Sequence, residues 1–192
     1  MILEMKKGIK KIQRKGVISF FLLIYLFSCG VVSSLADTKQ EYAVKAAFVL
    51  NFAKFTQWPE EAFENPDSFS LCVIGGKSLT EGFQTIDGKK VDDRSLRVDF
   101  VSEADDFDKC NMLFVGKDID RSALLRIFAS VTEKPVLTIG EVKDFAMLGG
   151  VINFVRKKGK LRFEVNRDTS LKQKIQISSR LLKLAIIVNG EK

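Results

Sequence analysis

The chain has 192 residues, of which 46% are hydrophobic and 29% are charged, so its composition is that of a globular protein with one domain or two small ones. It contains no histidine and only three cysteines. These counts exclude a histidine-based catalytic triad, a histidine-ligated metal centre and a four-cysteine metal cluster. The formal net charge is +7, and its distribution along the chain decides what it means.

The basic excess lies in the first 36 residues, which carry six Lys or Arg and a single acidic residue, Glu4. An uncharged apolar run at 17–27 follows, about half of the roughly 20 residues that span a bilayer core. Such a pattern, followed by small residues, is typical of a secretory signal peptide. Residues 1–36 are therefore predicted to be a signal peptide and residues 37–192 a single mature domain. That domain would carry 25 basic and 23 acidic residues, so no nucleic-acid partner is expected.

Three processing routes stay open, and all place the domain outside the cytoplasm. Cleavage after Ala36 would release a soluble protein, whereas segment 26–29 resembles a bacterial lipobox in which Cys29 would be lipidated. An uncleaved anchor is the third route. The soluble product keeps Cys72 and Cys110, and an even pair in an oxidising compartment favours a disulfide. A free reactive thiol is the alternative, although nothing nearby in the sequence would activate one.

The mature domain is predicted to begin with a helix at 41–58, because apolar residues recur there at helical spacing and Trp58-Pro59 would stop it. Its buried stripe is predicted to comprise Val44, Ala47, Phe48, Phe52 and Phe55, widened by Val49, Leu50 and Ala53.

Strands and helices are predicted to alternate through the middle of the domain. The predicted strands are 69–74, 95–101, 112–115 and 135–139, with Leu96, Val98 and Phe100 directed inward in the second. Helices are predicted at 78–86 and 121–131. Strands separated by helices favour an α/β domain with a mostly parallel sheet flanked by helices.

The C-terminal part follows a different pattern. Apolar runs at 151–155 and 161–165 are joined by a short basic connection containing glycine, which predicts an antiparallel hairpin. A last helix is predicted from a cap at Asp168 to Ile186. Alternation at Ile175 and Ile177 suits a strand equally well, so the start of this helix stays open.

Four segments have both a functional and a structural interpretation. Segment 74–78 can cradle an anion or be a strand-to-helix turn, and the acidic segment 105–108 can be a calcium loop or a solvated loop. The basic tip 156–160 can contact an acidic partner or anionic lipid, or keep a sheet edge from aggregating. The aromatic residues at 52–58 can form a ligand slot or part of the core. The structural interpretation is favoured for each.

Segment 45–59, KAAFVLNFAKFTQWP, resembles the opening motif of the YfiR-like family. Further matching segments follow in order at 71–75, 110–115, 135–140, 149–154, 161–166 and 177–185. The family comprises exported proteins typified by a periplasmic repressor of a membrane diguanylate cyclase. The resemblance implies a Rossmann-like α/β fold, a location in the periplasm and a disulfide between Cys72 and Cys110. The second cysteine pair of the typical repressor has no counterpart here.

The resemblance also implies how the protein acts. Such a repressor binds the periplasmic part of an inner-membrane diguanylate cyclase and keeps cyclic-di-GMP low. Separately, the missing histidine and the lack of a catalytic constellation in the sequence argue against an enzyme, and no cofactor is expected. A peptidoglycan-binding lipoprotein of the outer membrane can pull the repressor away, which favours biofilm formation. A small-molecule sensor or solute-binding module is the alternative function, and a homodimer is left open.

The hairpin and the last predicted helix are the hypothetical partner surface. Phe154 and Glu164 lie in two of the matched segments, close to the predicted antiparallel edge, and Arg180 lies in a third. These three residues are the partner-binding candidates. Core packing for Phe154 and a solvated charge for Glu164 are the alternatives.

Overall fold

The computed structural model describes residues 32–190, with side chains from residue 39 onward. The chain divides into two units, 1–38 and 39–192, and all of the strands that the structure describes belong to the second. Cys29 and the apolar run 17–27 lie outside the described residues, so the signal peptide and its processing stay predictions. None of the described helices is long and apolar enough to cross a membrane.

Two sheets form the framework of the domain. The smaller pairs β1 (Thr56–Gln57) with β9 (Gln176–Ile177) in antiparallel orientation. The larger sheet consists of β2 (Ser68–Ile74), β3 (Lys90–Val91), β4 (Arg94–Phe100), β5 (Met112–Val115), β6 (Leu137–Gly140), β7 (Ile152–Lys157), β8 (Lys160–Asn166) and β10 (Ile186–Val188).

The strand order in the larger sheet is β10-β8-β7-β6-β5-β2-β4-β3. Strand β2 runs parallel to both of its neighbours, β4 and β5, and the parallel pairing continues through β6 to β7. Only β3 with β4 and β7 with β8 are antiparallel in this sheet. The predicted fold class, a mostly parallel α/β sheet with a C-terminal antiparallel hairpin, is therefore confirmed.

Helices cover both faces of the larger sheet. They are α1 (Val32–Lys54), α2 (Lys77–Phe83), α3 (Arg121–Ser130), α4 (Arg167–Lys172) and α5 (Ser179–Leu182). Residues of α1, α2 and α5 belong to one hydrophobic core, and residues of α3 belong to the other. We call the face toward α1 face A and the face toward α3 face B.

The central strands supply side chains to both cores. In β2, Leu71 and Val73 belong to the core on face A, while Cys72 and Ile74 belong to the core on face B. Strand β5 repeats this arrangement. Because successive side chains of a strand point to opposite faces, a strand buried on both faces must be apolar at every position. This explains why these short runs without alternation were predictable as strands.

The first helix was predicted with the wrong end and largely the wrong buried face. It ends at Lys54, where the Thr56 hydroxyl donates to the carbonyl of Phe52 (2.7 Å) and Thr56 pairs with Ile177 in the small sheet. Of the predicted main stripe, only Phe52 is buried. Val49 and Ala53, which were predicted to widen the stripe, are buried as expected, and Tyr42, Lys45 and Ala46 complete the buried face. Both sides of this helix carry apolar residues, so helical spacing alone could not choose between them.

The single C-terminal helix was also a wrong prediction. Helix α4 ends before Lys174, whose φ of 56° does not continue a helix. The chain then forms β9, the short helix α5 capped by Ser178, and β10, which runs parallel to β8. The alternation at Ile175 and Ile177 thus indicated extended backbone, because Ile177 pairs with β1.

Two smaller differences concern strand ends. Phe100 was predicted to point into the core, but it is the last residue of β4 and its side chain is 40% exposed. The hairpin connection is shorter than predicted, because β7 and β8 extend to Lys157 and Lys160. Lys158 and Gly159 form its two-residue turn with φ values of 53° and 75°, the left-handed pair that suits the twist of a hairpin.

A disulfide joins Cys72 in β2 to Cys110, which precedes β5 and is 38 residues further along the chain. Both residues are buried, and β2 and β5 are hydrogen-bonded neighbours. The bond therefore links two central strands where they are already adjacent. In the unfolded chain it would restrict a long loop, which is the main source of disulfide stabilisation in chain-entropy accounts.

Replacing both cysteines, Cys72→Ser/Cys110→Ser, is expected to lower the free energy of unfolding by about 3 kcal/mol, because the unfolded chain regains the entropy of that loop. Urea unfolding followed by circular dichroism measures the change. Wild-type protein treated with a reducing agent is the control and should lose a similar amount. An unchanged unfolding midpoint in the double variant would contradict the prediction.

Candidate functional site

A buried cluster of charged and polar side chains attaches α1 to the carboxyl end of β6. Lys45 Nζ pairs with the Glu141 carboxylate, and their side chains are only 6% and 7% exposed. The Tyr42 hydroxyl donates to Glu141 Oε1 at 2.8 Å, and Lys45 also lies 2.7 Å from Glu41 Oε1. Arg156 of the hairpin binds the second oxygen of Glu41. The cluster therefore connects the first helix, the end of β6 and the hairpin.

The electrostatics of this cluster follow from its burial. The hydrogen bond and the charge of Lys45, together with Arg156, hold the pKa of Glu41 below its ordinary value. Burial, followed by the charge of the Glu141 carboxylate, raises the pKa of Tyr42 far above its ordinary value. Tyr42 is therefore a neutral hydrogen-bond donor at physiological pH. Sequence reasoning missed this cluster, because a lysine and a glutamate 96 residues apart give no local signal.

A series of contacting aromatic rings extends from the surface of α1 to the sheet. Phe48 is 36% exposed and meets Phe154 edge-on with ring centroids 6.1 Å apart. Phe154 also contacts Phe52 at 5.6 Å and Phe114 at 6.3 Å. Phe154 is itself buried, so the candidate residue lies in the core and reaches the surface only through Phe48.

Glu164 lies on the opposite face of the hairpin from Phe154. Its β7 neighbour is Asn153, whose Nδ2 donates to Glu164 Oε2 at 3.3 Å, and Lys157 Nζ lies 3.9 Å from Glu164 Oε1. The Glu164 side chain is only 16% exposed, so its neighbours cover most of it. The structure brings Glu164 next to the basic hairpin and does not bring it to the same surface as Phe154.

Arg180, the third candidate, lies exposed on α5. The helix is positioned by Ser178, whose backbone N–H donates to the carbonyl of Phe55 at 2.9 Å and whose hydroxyl accepts from Leu181 N–H. Leu181 anchors α5 in the core on face A. Arg180 is thus presented on the side of the domain where α1 ends.

The hairpin carries five cations within seven residues: Arg156, Lys157, Lys158, Lys160 and Arg162. All five are exposed. Arg156 pairs with Glu41, and Lys157 lies near Glu164. Within residues 39–190, Lys158, Lys160 and Arg162 form no ion pair. The hairpin is therefore a surface of unbalanced positive charge.

A small cavity lies beyond the end of α1 and encloses about 180 Å³. Trp58, Phe63 and Phe69 form apolar walls, with the rings of Trp58 and Phe69 edge-on at 4.9 Å. The Arg94 guanidinium stacks 3.8 Å from the centre of the Phe63 ring and pairs with Glu60 at 3.6 Å. Arg94 Nε is buried and has no hydrogen-bond partner among the described residues. Trp58 was singled out from the sequence, but Arg94 was not.

Segment 74–78 is a packed strand-to-helix turn. Gly75 and Gly116 follow β2 and β5, two adjacent strands from which the chain continues to opposite sides of the sheet, and α/β sheets commonly bind ligands at such a point. Here the buried Leu79 side chain fills the space, since a Cβ on Gly75 or Gly116 would lie 2.7 or 2.9 Å from Leu79 Cδ1. The structure thus gives no support to an anion cradle at this turn.

The acidic segment is a sequence of exposed turns. Asp105 Oδ2 accepts from Ser102 N–H at 2.6 Å, and Asp106 Oδ1 accepts from Asp108 N–H at 3.0 Å. The hydrogen bond from Lys134 lowers the pKa of Asp108. Within the described part of the chain, no group of three acidic or cysteine residues is arranged to hold a metal ion.

Lys45→Met is expected to lower the free energy of unfolding by about 3–5 kcal/mol, because Glu141 would remain buried without its cation. Lys39→Met is the matched control in the same helix, since Lys39 pairs with Glu81 at an exposed site, and it should cost less than about 1 kcal/mol. The double variant Lys45→Met/Glu141→Gln should recover most of the loss. Equal unfolding midpoints for the two lysine variants in urea would show that the buried pair does not stabilise the fold.

The sequence model of the YfiR/HmsC-like family matches residues 42–186. The matched segment begins within α1, at Tyr42 of the buried cluster, and extends to the first residue of β10. It includes both cysteines of the disulfide and all three partner-binding candidates. Because the match covers well over half of the sequence and nearly the whole sheet, the chain belongs to the YfiR/HmsC-like family.

Proposed function

We propose that this protein is an exported regulator that binds the periplasmic part of an inner-membrane diguanylate cyclase and keeps its cyclic-di-GMP output low. Residues 1–36 are its signal peptide, and residues 37–192 are the single regulatory domain. It acts in the periplasm as a soluble protein, with lipidation at Cys29 as the alternative. An outer-membrane lipoprotein that binds peptidoglycan competes for it and relieves the repression.

The observation that carries this proposal is the family match over residues 42–186. The YfiR/HmsC-like family is regulatory rather than catalytic, and membership suggests a periplasmic regulator of diguanylate cyclase. The structural features described above are compatible with a binding protein, since charged and aromatic surface residues surround a buried central sheet. The assignment of a cyclase as the target and of a lipoprotein as the competitor rests on family membership alone.

Repression of this kind is a coupling between two equilibria. A periplasmic protein changes the output of a cytoplasmic catalytic domain only if it binds one conformation of the cyclase more tightly than the other. The coupling is reciprocal, so the inactive cyclase must also hold the repressor more tightly. A lipoprotein relieves repression by lowering the concentration of free repressor, and it needs no contact with the cyclase.

The cyclase surface is proposed to include the exposed apolar side of α1. Val44 and Phe48 of α1 are 45% and 36% exposed, and Phe55, which directly follows the helix, is also 36% exposed. Exposed aromatic residues of this kind are typical anchors of protein interfaces. Phe154 would contribute by holding the Phe48 ring, while Arg180 and Glu164 would add polar contacts near this surface and at the hairpin.

Deletion of the gene is expected to raise cellular cyclic-di-GMP several-fold, and an exported wild-type copy should restore the low level. A Phe48→Ser copy should fail to restore it, because an anchor on the proposed surface is lost. Leu125→Ser removes a similarly exposed apolar residue from α3 and should restore repression. The cyclic-di-GMP content is measured at matched protein abundance, with melting temperatures checking that both variants fold. An unchanged level on deletion would refute the proposed function.

The cavity beside Arg94 favours a second candidate, in which the protein senses a small molecule. Its apolar walls suit a flat ring, and the unpartnered Arg94 Nε suits an acceptor such as a carboxylate. The volume of about 180 Å³ suits a ligand the size of a single ring with a short substituent. Sensing and repression are compatible, since a ligand at the end of α1 can change the position of Phe55, which directly follows the helix.

Benzoate at millimolar concentration is expected to raise the melting temperature by a few degrees, because a ligand that binds only the folded state stabilises it. Benzamide, which lacks the charge, should have a smaller effect. The shift should disappear in Arg94→Lys and persist in Arg97→Lys, whose guanidinium lies on the opposite face of β4 and pairs with Asp99. Equal shifts in melting temperature with benzoate and benzamide would argue against recognition of the carboxylate by Arg94.

A further inference from the structure

One long edge of the larger sheet is only half covered. Strand β10 pairs with β8 over Glu164, Val165 and Asn166, and β10 is the last strand on that side. Strand β8 begins four residues earlier, at Lys160. Among the described residues, no strand pairs with the outer side of residues 160–163. This open half-edge is defined as residues 160–163 of β8.

The backbone of the open half-edge has groups available for a further strand. The two-residue turn at Lys158 and Gly159 makes Lys157 and Lys160 the hydrogen-bonded pair that closes the hairpin. By the alternation of an antiparallel ladder, the N–H and C=O of Leu161 then point away from β7. They face the side on which β10 would lie if it were longer.

The side chains around the open half-edge are strongly basic on one face. Lys157, Lys158, Lys160 and Arg162, together with Ile186 of β10, line a groove of about 540 Å³. Lys160 and Arg162 make no ion pair within residues 39–190, and both are exposed. A negatively charged occupant would therefore meet cations that no carboxylate of the described domain already neutralises.

The other face of the same edge is apolar. Leu161 is half-buried against the core on face A, and Ile187 and Leu184 nearby are more than half exposed. Side chains directly opposite each other on neighbouring strands share a face. An added strand would thus place every second residue beside Lys160 and Arg162, and the residues between them beside Leu161.

We propose that the open half-edge is a docking site for an extended segment of a partner protein in which acidic and apolar residues alternate. The segment adds a strand beside residues 160–163, in line with β10, and its main chain bonds to Leu161. Its acidic side chains lie in the basic groove, and its apolar side chains lie beside Leu161. The inference names the surface and the chemistry of its occupant, and it holds whichever protein supplies the segment.

A labelled six-residue peptide of alternating glutamate and valine, Glu-Val-Glu-Val-Glu-Val, tests the proposal with the unmodified full chain. Fluorescence anisotropy should show at least tenfold tighter binding than for Glu-Pro-Glu-Pro-Glu-Pro, which has the same charge but cannot form a ladder. Amide hydrogen exchange at Leu161, followed by NMR, should slow at least tenfold when the first peptide is bound. Equal affinity for both peptides, or unchanged exchange at Leu161, would overturn the docking of a strand.

Charge-reversal variants test the groove. Lys160→Glu/Arg162→Glu should weaken binding of the glutamate-valine peptide at least tenfold, because repulsion replaces attraction. The control Lys109→Glu/Arg126→Glu changes the net charge equally at exposed sites away from the hairpin and should bind as the wild type does. Wild-type affinity in the first variant would overturn the proposal. Binding to phosphatidylglycerol vesicles without binding to the peptide would also overturn the proposal. Binding to neither probe would overturn it too, and the lysines would then serve only to prevent aggregation at the edge.

Discussion

The buried pair of Lys45 and Glu141 is the interaction on which the arrangement of the domain depends most. A lysine on the inner side of α1 is costly to bury unless a carboxylate meets it, and Glu141 at the end of β6 supplies that carboxylate. The pair therefore fixes both the rotation of the helix and its position along the sheet. Rotation matters for function, because it puts Phe48 and Val44 outside and leaves Phe52 in the core.

Much of the sheet could be predicted because its physics is local. A strand such as β5 is buried on both faces, so each of its residues must be apolar, and its short length and the following Gly116 favour a strand over a buried helix. The disulfide partners were equally predictable, since Cys72 and Cys110 are the only cysteines within residues 37–192. Turn chemistry also acts locally, and the Lys158-Gly159 turn fits the hairpin that the sequence indicates.

What could not be predicted depends on contacts between distant residues. Which side of α1 is buried is decided by Glu141, far away in sequence, and the end of the helix is decided by pairing between Thr56 and Ile177. The candidate surface shows the same limitation. Phe154 and Glu164 lie on neighbouring strands, yet alternation directs them to opposite faces, which became clear only once the register of β7 and β8 was known.

The opposite orientation of Phe154 and Glu164 affects how the protein could bind two partners. Under our proposals, most of the cyclase surface is the aromatic side of α1 on face A, with Glu164 contributing at the hairpin, and an acidic strand would occupy the edge and the basic groove on face B. The two partners would then meet only at the hairpin, so competition between them would have to pass through it. The hairpin can carry such a coupling, because Arg156 reaches Glu41 on α1 and Phe154 supports Phe48, while Arg162 in the neighbouring strand lines the groove. A strand that docks beside β8 would act on the backbone that holds both contacts.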